Sequence, residues 1–261
     1  MKLALYQGPA IGGDIELGFA RIEMNLAAAA QAGASMAVFP ELYLPGYNQP
    51  DLHQGLAQPL GGAWTKRLSD LASQYACGLT IGWAERLDET IYNSATCFDD
   101  TGKQCAHYRK IQLFGPMERA GFTAGDAYSV FEIFGQRAAL LICYDVEFPQ
   151  HCDALAREGV SLILVPTANP KGFEHVSRVL VPARAAEMRL TIVYANYCGQ
   201  EDGLAYGGNS LIVGPDAMPL ATAGVTETLL IADLSHIEQI TAEILSQQNR
   251  DYRKVGISHD A

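Results

Sequence analysis

A chain of 261 residues, 49% apolar and 18% charged, has the material for a large buried core, which excludes a disordered or low-complexity protein. A formal net charge of −11 repels polyanions and sets nucleic acid aside as a partner. No apolar run reaches the length of a membrane span, and the stretch 1–7 is too short for a secretory signal, so the six scattered cysteines read as free thiols of a reducing cytoplasm.

Residues 2–7 read as a strand. Asp14 caps a helix to about residue 31, with Ile15, Phe19, Ile22 and Leu26 at helical spacing, and Gly33 stops it. Residues 35–39 form a second buried strand, and 64–75 another helix with Leu68 and Leu71 inward. The middle turns to strands at 78–83, 91–98 and 103–109, the last two joined by the turn Asp99-Asp100-Thr101-Gly102. Strands over 130–134 and 137–144 follow. Next come a helix near 150–158, a strand at 161–165, a helix over 174–189 and a strand at 191–196. Residues 210–213 and 228–232 are further strands, and Ser235 caps a helix to about 246. The tail 247–261 is polar and belongs on the surface or at a subunit interface. Eleven or twelve strands with five helices exceed a single βαβ series. They predict an α/β chain, one domain over 1–261, in which two mixed sheets pack together with helices outside.

Three segments place a reactive side chain at the end of an apolar run. Cys143 closes Leu140-Leu141-Ile142 and precedes Asp145 and Phe148-Pro149 at a helix start, where backbone N–H groups can lower a thiol pKa and hold an oxyanion. Alone, it would read as a buried core thiol. Glu41 lies between Val38-Phe39-Pro40 and Leu42-Tyr43-Leu44, an apolar setting that raises a carboxyl pKa and suits a proton shuttle. Lys110 follows the strand through Tyr108; its ammonium can stabilise an oxyanion and favour the thiolate, although beside Arg109 it also reads as a surface lysine.

Phe39-Pro40-Glu41-Leu42-Tyr43-Leu44-Pro45-Gly46-Tyr47, Tyr108-Arg109-Lys110-Ile111-Gln112-Leu113-Phe114 and Cys143-Tyr144-Asp145 with Phe148-Pro149 occur in that order. Together they resemble the nitrilase, or carbon-nitrogen hydrolase, superfamily in its amidase-like branch, over nearly the whole chain. Arg184-Ala185-Ala186-Glu187 and the stretch from Gly208 to Pro215 add to the likeness, while Pro149-Gln150 and Pro215-Asp216-Ala217 depart from it in local geometry only. The resemblance implies an α-β-β-α four-layer sandwich, commonly a homodimer formed through one helical layer. It also implies a second glutamate, Glu118, placing the amide and the hydrolytic water. Glu41 is then the general base, Cys143 the nucleophile, and Lys110 with the Tyr144 backbone N–H the oxyanion site. Neither a metal nor an organic cofactor is implied. Tyr47, Phe114, Tyr144, Ala168 and Asn169 are pocket walls by position.

The reaction this predicts is hydrolysis of a small carboxamide to the acid and ammonia through a cysteine thioester. A nitrile or an N-carbamoyl compound remains the alternative substrate, and a non-catalytic interaction protein on the same fold the alternative class. A Cys–His hydrolase would draw on His53, His107, His151, His175, His236 or His259, but these form no repeated ligand pair for zinc either.

Overall fold

The structure, a computed structural model, describes residues 1–256. His259 and the last part of the 247–261 tail lie outside the described residues. In chain order the elements are β1 Lys2–Gln7, α1 Ile15–Gln31, β2 Met36–Val38, α2 Pro50–Leu56, α3 Ala63–Tyr75, β3 Gly78–Leu87, β4 Thr90–Phe98, β5 Gln104–Arg109 and α4 Gly115–Gly121. The second half adds β6 Val130–Ile133, β7 Gln136–Leu140, α5 Pro149–Arg157, β8 Leu162–Pro166, α6 Val181–Met188, β9 Thr191–Ala195, β10 Gln200–Glu201 and β11 Leu204–Ala205. It closes with β12 Leu211–Val213, β13 Pro219–Thr222, β14 Thr228–Asp233 and α7 Gln248–Asp251.

One six-stranded sheet has the order β14-β1-β2-β3-β4-β5 and the other β13-β12-β9-β8-β7-β6. Each is mixed: β1–β2–β3 and β7–β8–β9 run parallel, with antiparallel strands flanking them. Side-chain alternation sorts the first sheet into two faces. Leu3, Leu5, Met36, Val38, Cys97 and Tyr108 face the second sheet, packing with Leu140, Leu164, Val193 and Ile212. Ala4, Tyr6, Phe39, Leu79, Ile81 and Trp83 face outward onto Phe19, Ile22, Leu26, Trp64 and Leu68 of α1 and α3. On the far side, Cys152 and Leu155 of α5 and Val181 and Ala185 of α6 cover the second sheet. Strand β8 is therefore buried on both faces and apolar throughout. The expected α-β-β-α layering is the observed one.

Local chemistry sets the boundaries. The Asp14 carboxylate accepts the Leu17 N–H at 3.0 Å and starts α1. Asp99 accepts the N–H groups of Thr101 and Lys103 at 2.9 and 3.0 Å, closing the turn between β4 and β5. Three expected spans differ. The strand expected over 137–144 ends at Leu140, because the buried Asp145 carboxylate takes the N–H groups of Ile142 (3.0 Å) and Gln112 (2.7 Å) and the Tyr108 hydroxyl (2.9 Å). Those bonds pull the chain out of the sheet into a 3-10 turn, Cys143–Glu147. The helix expected over 174–189 opens with a π turn, Val176–Leu180, because Pro182 has no N–H for the usual bond one turn back. The helix expected over 235–246 is a 3-10 turn, Leu234–Gln239, capped by Asp233 rather than Ser235. β-branched Ile237, Ile240 and Thr241 disfavour its continuation, and Ile244 finds no core to join. The start of the tail docks on its own chain: Asn249 donates to the Glu187 carbonyl at 3.1 Å and Arg189 to that of Ser246 at 2.6 Å.

Candidate active site

The reactive residues sit beyond the C-terminal ends of strands. Glu41 lies past β2, Lys110 past β5, Cys143 past β7, and Ala168 and Asn169 past β8, where strand ends of the two sheets converge. Glu118 is carried in by α4. Lys110 is the hub: its Nζ donates to Glu41 Oε1 at 2.6 Å and to Glu118 Oε1 at 2.7 Å, and all three side chains are 0% exposed. Glu118 pairs with this lysine and not with its neighbour Arg119. Arg109 points the other way, forking onto Glu85 at 2.6 and 2.8 Å, so the adjacent basic residues part to opposite faces of β5.

Each carboxylate has further donors. Asn93 Nδ2 donates to Glu41 Oε1 at 2.7 Å. The Tyr47 hydroxyl donates to Glu118 Oε1 at 2.8 Å and the Phe114 N–H to Glu118 Oε2 at 3.0 Å. Glu41 Oε2, by contrast, is buried with no partner, as is Asn93 Oδ1. The backbone of Glu41 is clamped between the sheets, its carbonyl accepting the Tyr197 hydroxyl at 2.8 Å and its N–H donating to the Thr167 carbonyl at 3.4 Å. The residues carrying the two reactive ends, Leu42 just after Glu41 and Cys143 itself, both have φ of +45°, a left-handed conformation that non-glycine residues rarely adopt.

Behind Glu41 and Tyr47 stands the β10–β11 hairpin. Buried Glu201 accepts the Tyr206 hydroxyl at 2.6 Å and the Asn48 N–H at 2.8 Å, while the Tyr206 ring stacks on Tyr197 at 4.8 Å. Gly46 leaves room for this carboxylate, since a Cβ there would collide with Glu201 Oε1. Gly82 of β3 is equally constrained: a Cβ would stand 2.5 Å from Glu41 Cα and Leu42 N. Gly82→Ala is expected to lower stability by about 1–3 kcal/mol and kcat at least tenfold, by shifting the Glu41 peptide. Thermal unfolding and steady-state rates on the purified variant check this, and a normal kcat would show that Glu41 tolerates the shift.

Three ionised groups packed this closely, with the thiol beside them, perturb one another. Burial pushes the Glu41 carboxyl above its ordinary value of 4.5, opposed by the Lys110 ammonium and reinforced by Glu118. Burial disfavours the Lys110 ammonium, but Glu41 and Glu118 outweigh it and hold the lysine charged. The Cys143 thiol is pushed well above its ordinary value by burial and by Glu41, against Lys110 and the Ala168 backbone N–H. The Ala168 N–H acts in the expected downward direction, but desolvation and the two carboxylates exceed it, so the net push on the thiol is upward.

The remaining predicted residues divide. Tyr47 and Phe114 bind Glu118 directly, the first through its hydroxyl and the second through its N–H. Ala168 presents its N–H towards the sulfur. Asn169 acts in its loop: its side chain donates to the Phe173 carbonyl at 2.9 Å and its N–H to Asn196 Oδ1 at 2.7 Å. Tyr144 extends from the Cys143 turn to meet the Phe114 ring edge-on at 5.2 Å. Among the described residues no histidine hydrogen-bonds Cys143; His53 is held by the Gly46 carbonyl at 2.8 Å, and His151 by Tyr128 and Gln112 at 2.6 and 3.1 Å. Sequence reasoning passed over Asn93, Tyr197 and Glu201. Only Asn93 left a local signal, a polar residue alternating with apolar Ile91, Ala95 and Cys97 on one face of β4.

Known proteins share this arrangement. The sequence profile of the family described as carbon-nitrogen hydrolase matches residues 2–240. The chain is 32% identical over 253 residues to an (R)-stereoselective amidase of Pseudomonas sp., covering 97% of this chain and 89% of that one. It is 37% identical over 237 residues to a protein of Pseudomonas protegens named "Hydrolase in pqqF 5'region", covering 90% and 82%. In solved structures it superposes with a TM-score of 0.85 on an amidase from Nesterenkonia sp. AN1, 34% identical, over 94% of this chain and 98% of that one. That structure is a glutamate-to-glutamine mutant showing Michael addition of acrylamide at the active-site cysteine. Another form of the same amidase, a cysteine-to-alanine mutant in complex with butyramide, gives a TM-score of 0.84 at 33% identity over 97% of each chain. With the profile spanning both sheets and likenesses of this extent, the chain belongs to the carbon-nitrogen hydrolase family.

Proposed function

We propose that this protein is an amidase that hydrolyses a small carboxamide to the carboxylic acid and ammonia through a thioester on Cys143. One observation carries the reading: Glu41 Oε1 is saturated by Lys110 and Asn93, whereas Oε2 is buried and without a partner. It is an acceptor placed for the proton that the thiol must lose. Glu41 takes that proton, and the sulfur adds to the amide carbonyl carbon. The oxyanion rests against the Lys110 ammonium and the Tyr144 N–H. Collapse of the tetrahedral adduct breaks the C–N bond as Glu41 protonates the departing nitrogen, and ammonia leaves. Glu118, fixed by Lys110, Tyr47 and the Phe114 N–H, orients the amide and then the water that hydrolyses the thioester. The thiol proton leaves with ammonia through Glu41, and water then gives its hydroxyl to the acid and its proton to the sulfur, so the cycle restores the thiol and Glu41.

Amidases among the relatives and the solved structures support this over a nitrile or an N-carbamoyl substrate. Six unpaired cysteines support a reducing cytoplasm, and no helix of the described residues is long and apolar enough to cross a membrane. Exposed Val179 and Ile244 near the α6 layer support a homo-oligomer. The test is ammonia release from aliphatic, aromatic and amino-acid amides, a nitrile and an N-carbamoyl compound, alongside intact-mass spectra. An acyl adduct on the wild type, missing in Cys143→Ala, is expected. Release from the nitrile or the N-carbamoyl compound alone would move the protein to another branch, and no product from any of them would end the enzymatic reading.

A further inference from the structure

We propose that Glu147 selects amides bearing an ammonium group next to the carbonyl, the amino-acid amides, with a rim of aromatic rings completing their seat. The proposal rests on the amidase reading above and names its substrate class. Glu147 closes the 3-10 turn that Cys143 opens, four residues from the nucleophile. It is half-buried, and among the described residues its carboxylate makes no hydrogen bond or ion pair. Arg184 makes no direct pair with its carboxylate and acts on it only from a distance: one guanidinium nitrogen pairs with Glu187 at 2.8 Å and the other donates to the Glu147 backbone carbonyl at 3.1 Å. His175 and Lys110 lie within electrostatic reach of the carboxylate, and the buried Tyr194 senses both Glu147 and Cys143. Side chains three apart eclipse on a 3-10 turn, so Glu147 lies on the same side of this turn as Tyr144, the residue after Cys143. The Tyr194 hydroxyl is itself buried and unpartnered.

The rings bridge the reacting segments. Phe114 stands edge-on to Tyr144 at 5.2 Å and to Phe173 at 5.8 Å, and Tyr144 edge-on to Phe148 at 4.9 Å. Phe114 is tied to Glu118 by its N–H, Tyr144 follows Cys143 in the chain, and the Phe173 carbonyl is held by Asn169 beside Ala168. Of the four reactive side chains only Cys143 reaches the surface at all, at 8% exposure, so substrate meets these rings on its way to the sulfur. Aromatic faces attract cations, and a carboxylate partly withdrawn from water pairs strongly with an ammonium. The net charge of −11 adds to the attraction at longer range. An amide with an acidic acyl chain would face repulsion at the same carboxylate.

Alaninamide and isobutyramide test this, because they match in shape and differ by an ammonium in place of a methyl group. With wild-type protein near neutral pH, kcat/KM for alaninamide is expected to exceed that for isobutyramide by roughly 10- to 100-fold. In Glu147→Gln the ratio is expected to fall by about that factor. The inductive effect of the ammonium on the carbonyl is common to both proteins and cancels in this comparison. Glu147→Ala, read in the same way, guards against a fault peculiar to glutamine. A wild-type preference for isobutyramide, or an unchanged ratio in a folded variant, overturns the assignment while leaving the amidase reading intact. If neither amide yields ammonia while another compound of the panel does, the assignment falls alone; if none does, both readings fall.

Discussion

Replacing Glu41 with glutamine is expected to lower kcat by about 10²–10⁴-fold while the fold survives. The glutamine keeps the shape and can still accept from Lys110 and Asn93, but it cannot take a proton. Burial and the nearby carboxylates push the Cys143 thiol up, so its ionisation depends on a base. The pH dependence follows from the direction of the Glu41 shift. Glu41 must be ionised to act, and its pKa lies above 4.5, so activity should switch on with rising pH along an acid limb displaced above the ordinary carboxylate range. The same shift affects stability in the opposite sense. A carboxyl whose folded pKa exceeds its unfolded one stabilises the fold fully below the unfolded value, and that contribution is lost as pH rises through the folded value. Glu41→Gln removes the loss, so at pH 8 its thermal midpoint should equal or exceed that of the wild type. A variant with near-normal turnover would take Glu41 out of the proton path.

Lys110→Met is expected to be worse for both activity and stability. It leaves Glu41 and Glu118 fully buried with no cation between them, where each was held at 2.6–2.7 Å. Breaking a buried ion pair from one side costs about 3–5 kcal/mol, and here two carboxylates are orphaned at once. Part of the loss is recovered by protonating them, so the variant should be markedly more stable at pH 5 than at pH 8, a steeper pH dependence than that of the wild type. With the oxyanion cation gone, kcat should fall by about 10²-fold or more. Chemical denaturation at the two pH values separates the effects. Equal stability at both would mean that the carboxylates find other partners.

The parts legible in the sequence were those with local signatures. Asp14 ahead of an apolar helical stripe gave α1, and the turn Asp99-Asp100-Thr101-Gly102 gave the hairpin of β4 and β5. The segments holding Glu41, Lys110 and Cys143 pointed to the reactive set through their order together, since each residue alone also has a structural reading. What escaped depends on distant partners. Strand β7 ends early because Asp145 collects donors from Gln112 and Tyr108, more than thirty positions away. Helices α2 and α4, seven residues each, are too short to show a period. Tyr197 reaches Glu41 across 156 positions of sequence, and no local pattern announces such a contact.

That last bond, with the Thr167 contact beside it, means that Glu41, the proposed general base, is anchored by one sheet and gripped by the other. Before the halves close, the polypeptide carries six ordinary sulfhydryls and no hydrolytic power. The nucleophile meets its proton acceptor and its cation only in the final docking event. Recovery of turnover after denaturation is therefore expected to time that closure directly, later than any signal from helix or strand formation.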